Sequence, residues 1–247
     1  MIDPIEQFNI EKLFTIGHIG NQEIAFTNSS AYMFGSVALI SLLMIGAGRQ
    51  LVPGRFQSLA EISYEFVANT IRSNAGKDGM KFFPLVFSLF MFIAVSNIVG
   101  VIPYNFTVAS HIIVTFVLAM VVFVTVLIYG FYKNGLKFLK LFVPSGIPIF
   151  ILPLVVFIEV FSFFLRPISH SVRLFANMLA GHIALAVFAS FIPLLAGLVI
   201  AGYLGAVLPL GMVIALTALE LLVAFLQAYV FTILTVIYIN DAIHPGH

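Results

Sequence analysis

The chain reads as an all-α polytopic membrane protein with five membrane-embedded helices, the last two long and strongly tilted, and a surface amphipathic helix. Three observations carry this. Hydrophobic residues make up 62% of the sequence and charged residues only 9%, whereas about a quarter of a soluble domain is charged. The mean hydropathy is +1.15. The apolar stretches are long enough to cross the hydrocarbon of a bilayer, which takes roughly 20 helical residues. Five or six such spans in 247 residues leave no room for a nucleotide-binding or extramembrane catalytic domain. With no cysteine, disulfides and thiolate metal sites are excluded, and no metal or cofactor is expected. A net charge of +1 gives no sign of nucleic-acid binding.

Hydropathy and helix breakers divide the chain in order. Residues 1–30 form an N-terminal segment carrying Asp3, Glu6, Glu11 and Glu23 against one Lys12. That composition lacks the basic, apolar, small-residue order of a signal peptide, so the first span is expected to be retained. Residues 31–146 hold the peripheral spans: about Ala31 to Gly48, Phe82 to Ile102, closed by Pro103-Tyr104-Asn105, and Ser110 to Tyr132. Between the first two, Ser58 to Asn74 places Leu59, Ile62, Phe66, Val67 and Ile71 at helical spacing with Glu61, Glu65 and Arg72 between them. This suits a helix lying on the membrane surface, and equally an ordinary solvent-facing loop helix. Residues 147–247 form a hairpin of two segments, about Ile147 to Phe191 and Leu194 to Ile239. Each exceeds about 60 Å as a helix, twice the hydrocarbon thickness, so each must tilt, bend or break. Pro167, Pro193 and Pro209 offer the places.

Loop charge orients the chain. The Arg49 to Lys81 connection holds five Lys or Arg and the Lys133 to Lys140 connection three, whereas the Pro103 to Ala109 turn holds none. By the positive-inside rule the N-terminus is outside and the C-terminus cytoplasmic.

Six ionisable or imidazole side chains interrupt the apolar run from Ile147 to Ile239: Glu159, Arg166, His170, Arg173, His182 and Glu220. A guanidinium at the bilayer midplane is disfavoured by about 2.5–3.5 kcal/mol on insertion scales, so it has a partner or a pathway. At 100° per residue, Glu159, Ser162, Arg166, His170 and Asn177 fall within about 60° of the Arg173 azimuth and make one polar stripe, while His182 lies about 180° away. On the last segment Glu220 and Gln227 are nearly eclipsed. With the two segments antiparallel and Arg173 level with Gln227, His182 falls within a turn of Glu220.

In a wet pocket a carboxyl and an imidazole can exchange protons, since histidine titrates near neutrality and a desolvated glutamate is raised into that range. Arginine keeps its proton and is a fixed positive barrier that forces an approaching carboxylic acid to ionise. Two half-paths separated by a permanent cation move protons only when a partner carries them across.

The run from Glu159 through Arg173-Leu174-Phe175-Ala176-Asn177-Met178 to Gly181-His182, followed by Leu226-Gln227-Ala228-Tyr229-Val230-Phe231, resembles subunit a of F-type ATP synthases. The resemblance covers the whole chain in span layout and about the last hundred residues in motif. It implies that Arg173 is the essential stator arginine facing the c-ring, with Gln227 beside it. It also implies that His182 and Glu220 belong to an outer half-channel, in the His-then-Glu order of alphaproteobacterial and mitochondrial relatives, and that the last two segments form a steeply tilted hairpin against the rotor. The implied partners are the c-ring, peripheral-stalk b-type subunits, lipid and protons, in a bacterial inner membrane. Any enzymatic role is as a subunit of the proton-transporting synthase. Two other classes stand beside it: a self-contained proton-coupled transporter or channel, although no convincing repeat relates the two halves, and a structural membrane subunit of a respiratory complex.

Blander roles exist for each residue. Glu159 and Arg166 suit a seven-residue snorkelling pair; His170 and Asn177 suit hydrogen-bonded packing; Gln227 suits a helix contact. His182 with Glu220 suits a structural hydrogen bond. Asn28-Ser29-Ser30 and Asn105-Phe106-Thr107 match glycosylation sequons, which are common by chance.

Overall fold

The computed structural model describes residues 9–19, 22–48, 52–102, 105–143, 148, 150–197 and 199–245. The expectations that rest on Arg49, on Pro103-Tyr104, on the helix start at Ile147 and on Gly246-His247 lie outside the described residues, as does part of the 1–30 segment.

In chain order the elements are strands β1 (Lys12–Ile19) and β2 (Gln22–Thr27) and helices α1 (Asn28–Gly46), α2 (Arg55–Gly79), α3 (Phe83–Val101), α4 (Ile112–Asn134), α5 (Leu152–Ala196) and α6 (Val199–Ile243). Short 3-10 turns cover Val108–Ser110 and Gly135–Phe142. Among the described residues five helical stretches are long and apolar enough to cross a membrane, and the helices α1, α3, α4, α5 and α6 begin and end within about five residues of the hydropathy reading. The β-hairpin is a finding that the sequence did not announce. β1 and β2 pair antiparallel with Phe14 opposite Phe26, and their rings stack at 5.0 Å. Two register irregularities interrupt the pairing, so the strands lack the strict alternation that marks a strand in a sequence.

Hydroxyl groups inside the helices meet the demand that lipid places on polar atoms. Ser88 donates to the Pro84 carbonyl at 2.7 Å, Thr125 to Val121 at 2.7 Å and Thr235 to Phe231 at 2.8 Å, each one turn back on its own helix. No neighbour is needed to satisfy them, so such residues enter an apolar span at low cost. At the start of α1, Asn28 Oδ1 accepts from the Ser29 and Glu11 backbone amides at 2.7 and 3.3 Å, and Nδ2 donates to the Asn9 carbonyl at 3.0 Å. The amide of this sequon thus ties the hairpin strand to the helix.

The helices continue through the prolines. α5 runs for 45 residues through Pro167 and α6 for 45 residues through Pro209, without a break at either. A freed carbonyl in a long membrane helix is tolerated where local adjustment re-satisfies it. The chain leaves the helix only after Ala196, where the Gly197 amide closes on the Pro193 carbonyl at 3.2 Å. At 1.5 Å per residue each helix is about 68 Å long, so a bilayer can hold it only at a steep tilt.

The residues group into two compact units. The first is Met1–Leu42, Phe92–His111 and Phe175–Gln227. Inside it the Tyr32 hydroxyl donates to Asn105 Oδ1 at 3.3 Å, Asn105 Nδ2 donates to the Val99 carbonyl at 3.1 Å, and Asn97 Nδ2 reaches the Ala224 carbonyl at 3.4 Å. The second unit is Leu43–Met91, Ile112–Leu174 and Ala228–His247. Its interior gathers Val67 and Ile71 of α2, Val122 and Val126 of α4, and Phe138, all at most 2% exposed. Phe163 meets Phe123, Phe138 and Phe142 with ring centroids 5.2–6.3 Å apart. Asn134 Nδ2 donates to the Ala242 carbonyl at 2.7 Å, satisfying one of the carbonyls that the end of α6 leaves without an intrahelical donor.

α2 extends the expected Ser58 to Asn74 helix at both ends. Its later half buries Val67, Ile71 and Ala75, whereas Leu59 and Ile62 of its first half are exposed. Large apolar side chains also cover the outside of α5 and α6, among them Phe157, Phe161, Phe164, Ile214 and Leu222. In water such a surface would aggregate; against lipid tails it is the compatible one.

Candidate functional site

The first unit holds a buried polar cluster. α5 presents His182 and α6 presents Glu220, with His182 Nε2 3.4 Å from Glu220 Oε1 and side-chain exposures of 8% and 4%. The two groups meet at ion-pair distance without the alignment of a hydrogen bond, and both carboxylate oxygens of Glu220 are buried with no hydrogen-bond partner among the described residues. The close approach depends on Gly181: a Cβ there would stand 2.9 Å from Glu220 Oε1. A buried polar group without a partner costs about 1–3 kcal/mol, more when charged. That cost is met when the carboxyl takes up a proton or when water or a cation reaches it.

Sequence reasoning misses a third member. Thr107, in the chain between α3 and α4, places its hydroxyl 2.8 Å from His182 Nε2. In the sequence Thr107 stands out only as the last residue of a sequon, whose Asn105 is engaged at Tyr32 and Val99. Four residues on, the ring of His111 stacks on Phe106 at 4.8 Å, its Nε2 buried and without a hydrogen-bond partner among the described residues. Gln227, 8% exposed, lies two turns beyond Glu220 on α6.

In the second unit Arg166 is neither free nor paired with Glu159. Its Nη1 donates to Asp241 Oδ2 at 2.7 Å, with side-chain exposures of 19% and 22%. The guanidinium also lies over the rings of Phe163 and Tyr238, 5.3 and 4.9 Å from their centroids. The seven-residue pairing with Glu159 that the spacing allows along α5 does not form: a carboxylate from α6 wins with an aligned charge-assisted bond, and the Phe163 and Tyr238 rings floor the guanidinium. Arg166, Tyr238 and His170 line one small cleft with Val122 and Phe123.

His170 is corrected too. It is 4% exposed, yet neither ring nitrogen has a hydrogen-bond partner among the described residues; the ring meets Phe231 edge-on, with centroids 3.8 Å apart. Asn177, expected to be hydrogen-bonded, is exposed and makes no hydrogen bond with a described residue. The stripe is therefore uneven: Ser162, Arg173 and Asn177 are exposed, Glu159 and Arg166 half-buried and His170 buried. Sharing an azimuth within about 60° leaves room for that spread, since the two edges of such a stripe face different neighbours. The Arg173 guanidinium makes no hydrogen bond or ion pair among the described residues.

The fold and these side chains define a multi-pass helical membrane protein with ionisable groups on its two longest apolar helices, one pair closed and one left open. A family model described as ATP synthase A chain matches residues 30–240. The chain is 83% identical over 249 residues to the ATP synthase subunit a of Rhodopseudomonas palustris strain BisB18, and 84% identical to that of strain BisA53, covering 100% of both chains in each case. The subunit a of Nitrobacter winogradskyi is 77% identical over 247 residues, again over the full length of both. The chain belongs to the ATP synthase subunit a family, and so to the proton-translocating membrane sector of that complex. This membership sets aside the self-contained transporter and the structural respiratory subunit.

Proposed function

We propose that the chain is the proton-conducting stator subunit of a rotary ATP synthase, offering two offset aqueous half-channels separated by Arg173, which faces the carboxylates of a c-ring. The observation that carries this reading is Arg173 itself: exposed on a membrane helix and without a hydrogen bond or ion pair among the described residues. An arginine left so in hydrocarbon costs about 2.5–3.5 kcal/mol or more, a cost removed by an anionic partner from another chain. In this reading protons enter from outside by way of His182 and Glu220 and pass to a rotor carboxylate, which travels neutral through lipid. Near Arg173, with Gln227 beside it, that carboxylate ionises and releases its proton toward the cytoplasm past His170, Arg166, Ser162 and Glu159. Each charge moved across the potential supplies about 2.3 kcal/mol per 100 mV.

The same reading places the N-terminus outside, the C-terminus in the cytoplasm of a bacterial cell, α2 along the membrane surface, b-type stalk subunits against the peripheral helices of 31–146, and the rotor against the 147–247 hairpin. The absence of cysteine makes the test clean. Ala176→Cys or Asn177→Cys, both exposed beside Arg173, is expected to cross-link in the assembled complex to a cysteine placed next to the rotor carboxylate. Cross-links to lipid-facing control positions such as Phe157→Cys and none at 176 or 177 would contradict the assignment.

A further inference from the structure

We infer that Thr107 is a positioning residue of the outer proton path, holding His182 satisfied in both of its protonation states; this rests on the reading of His182 and Glu220 as that path. The hydroxyl of Thr107 lies 2.8 Å from His182 Nε2 and 3.4 Å from the Gly100 carbonyl. A hydroxyl carries one donor hydrogen and two acceptor lone pairs and turns to suit its neighbours. When Nε2 carries a proton, Thr107 accepts from it and turns its own hydrogen to the Gly100 carbonyl. When Nε2 is bare, Thr107 donates to it. Glu220, which also faces that nitrogen, is an acceptor only while ionised, and at 3.4 Å it lacks hydrogen-bond alignment. In the neutral tautomer that leaves Nε2 bare, an ionised carboxylate has no hydrogen to give that nitrogen, whereas the Thr107 hydroxyl has one, so gain and loss of the Nε2 proton are both accommodated.

The placement of Thr107 is built, not incidental. It is 2% exposed. Its carbonyl accepts from the Ser110 hydroxyl at 2.6 Å and from the Ser110 amide at 3.2 Å, which fixes the turn that follows. On the other side a Cβ at Gly100 would stand 2.9 Å from Thr107 Cγ2 and 3.2 Å from its Oγ1, so α3 carries a glycine where the threonine docks. Among the titratable groups of this unit, Glu220 faces His182 from α6, whereas His111 turns its ring onto Phe106.

The test is passive proton conductance in vesicles carrying the complete membrane sector, stripped of the soluble ATPase, measured against the pH on the outer side and normalised to assembled subunit. Thr107→Val, which keeps the shape and removes the hydroxyl, is expected to lower conductance about tenfold and to move the midpoint of the pH profile by about one unit. Thr107→Ser, which restores the hydroxyl, recovers at least about half of the lost conductance. Wild-type conductance and midpoint in Thr107→Val overturn the inference, as does a serine variant as impaired as the valine one, which would reduce Thr107 to packing. His182→Ala separates the two readings: its loss beside an unaffected Thr107→Val overturns the inference alone, and its normal conductance overturns the path and the inference with it. Where Thr107→Val fails to assemble, Gly100→Ala displaces the hydroxyl from below and is expected to give the same shift; an unshifted profile there overturns the inference.

Discussion

Two pairs of opposite character sit on the same two helices. Arg166 and Asp241 meet at 2.7 Å over two aromatic rings, whereas His182 and Glu220 stand 3.4 Å apart with both carboxylate oxygens unbonded among the described residues. The first has the short, aligned, cushioned geometry of a contact that stays made. The second buries an acid and a base, at 4% and 8% exposure, without letting them neutralise each other through a good hydrogen bond. The difference separates two roles in the proposed reading: a finished pair holds helices, and an unfinished one is free to take part in proton transfer.

Breaking one partner of each pair separates the two. Asp241→Ala leaves the part-exposed Arg166 cation unpaired and is expected to destabilise the subunit by about 1–3 kcal/mol, while replacing both residues by apolar ones of like volume costs less. Amounts of assembled subunit in membranes check this; equal loss in the single and double variants would show that the charge pair is not what holds. Glu220→Gln removes the exchangeable proton and keeps the shape. It is expected to leave assembly intact while proton conductance falls about a hundredfold, the scale of a lost acid-base group, and normal conductance would reduce Glu220 to packing. Gly181→Ala forces the Glu220 carboxylate aside from a contact of 2.9 Å, with an expected loss of several-fold in conductance, consistent with about 1 kcal/mol. Smallest of all, Glu23→Gln breaks an exposed 2.8 Å bridge to Lys12 and should change neither assembly nor flux, because surface pairs contribute little.

How far the amino-acid sequence discloses the fold and the site differs from residue to residue, for physical reasons. The five spans and the overlong hairpin follow from hydropathy alone, because lipid imposes length and apolarity directly. The His182 and Glu220 meeting follows from antiparallel register, since both lie inside the periodic run. Asp241 stays hidden for two reasons. It falls just past the apolar stretch, and the register that levels Arg173 with Gln227 sets Arg166 about a turn or two away from it, a gap that the long arginine side chain helps to close. Thr107 is invisible because a loop residue obeys no helical period, and the strands of the β-hairpin because their alternation is broken. His170 carries the right azimuth and the wrong surroundings: which neighbour an edge of a stripe meets is decided by packing, which periodicity does not encode.

The central claim is that one exposed, permanently charged side chain keeps the two half-paths apart. ATP-driven proton pumping by Arg173→Ala in the assembled synthase tests it most directly. The variant is expected to assemble and to pump nothing, with passive leak through the membrane sector raised or unchanged; coupled pumping at a substantial fraction of the wild-type rate would contradict the account.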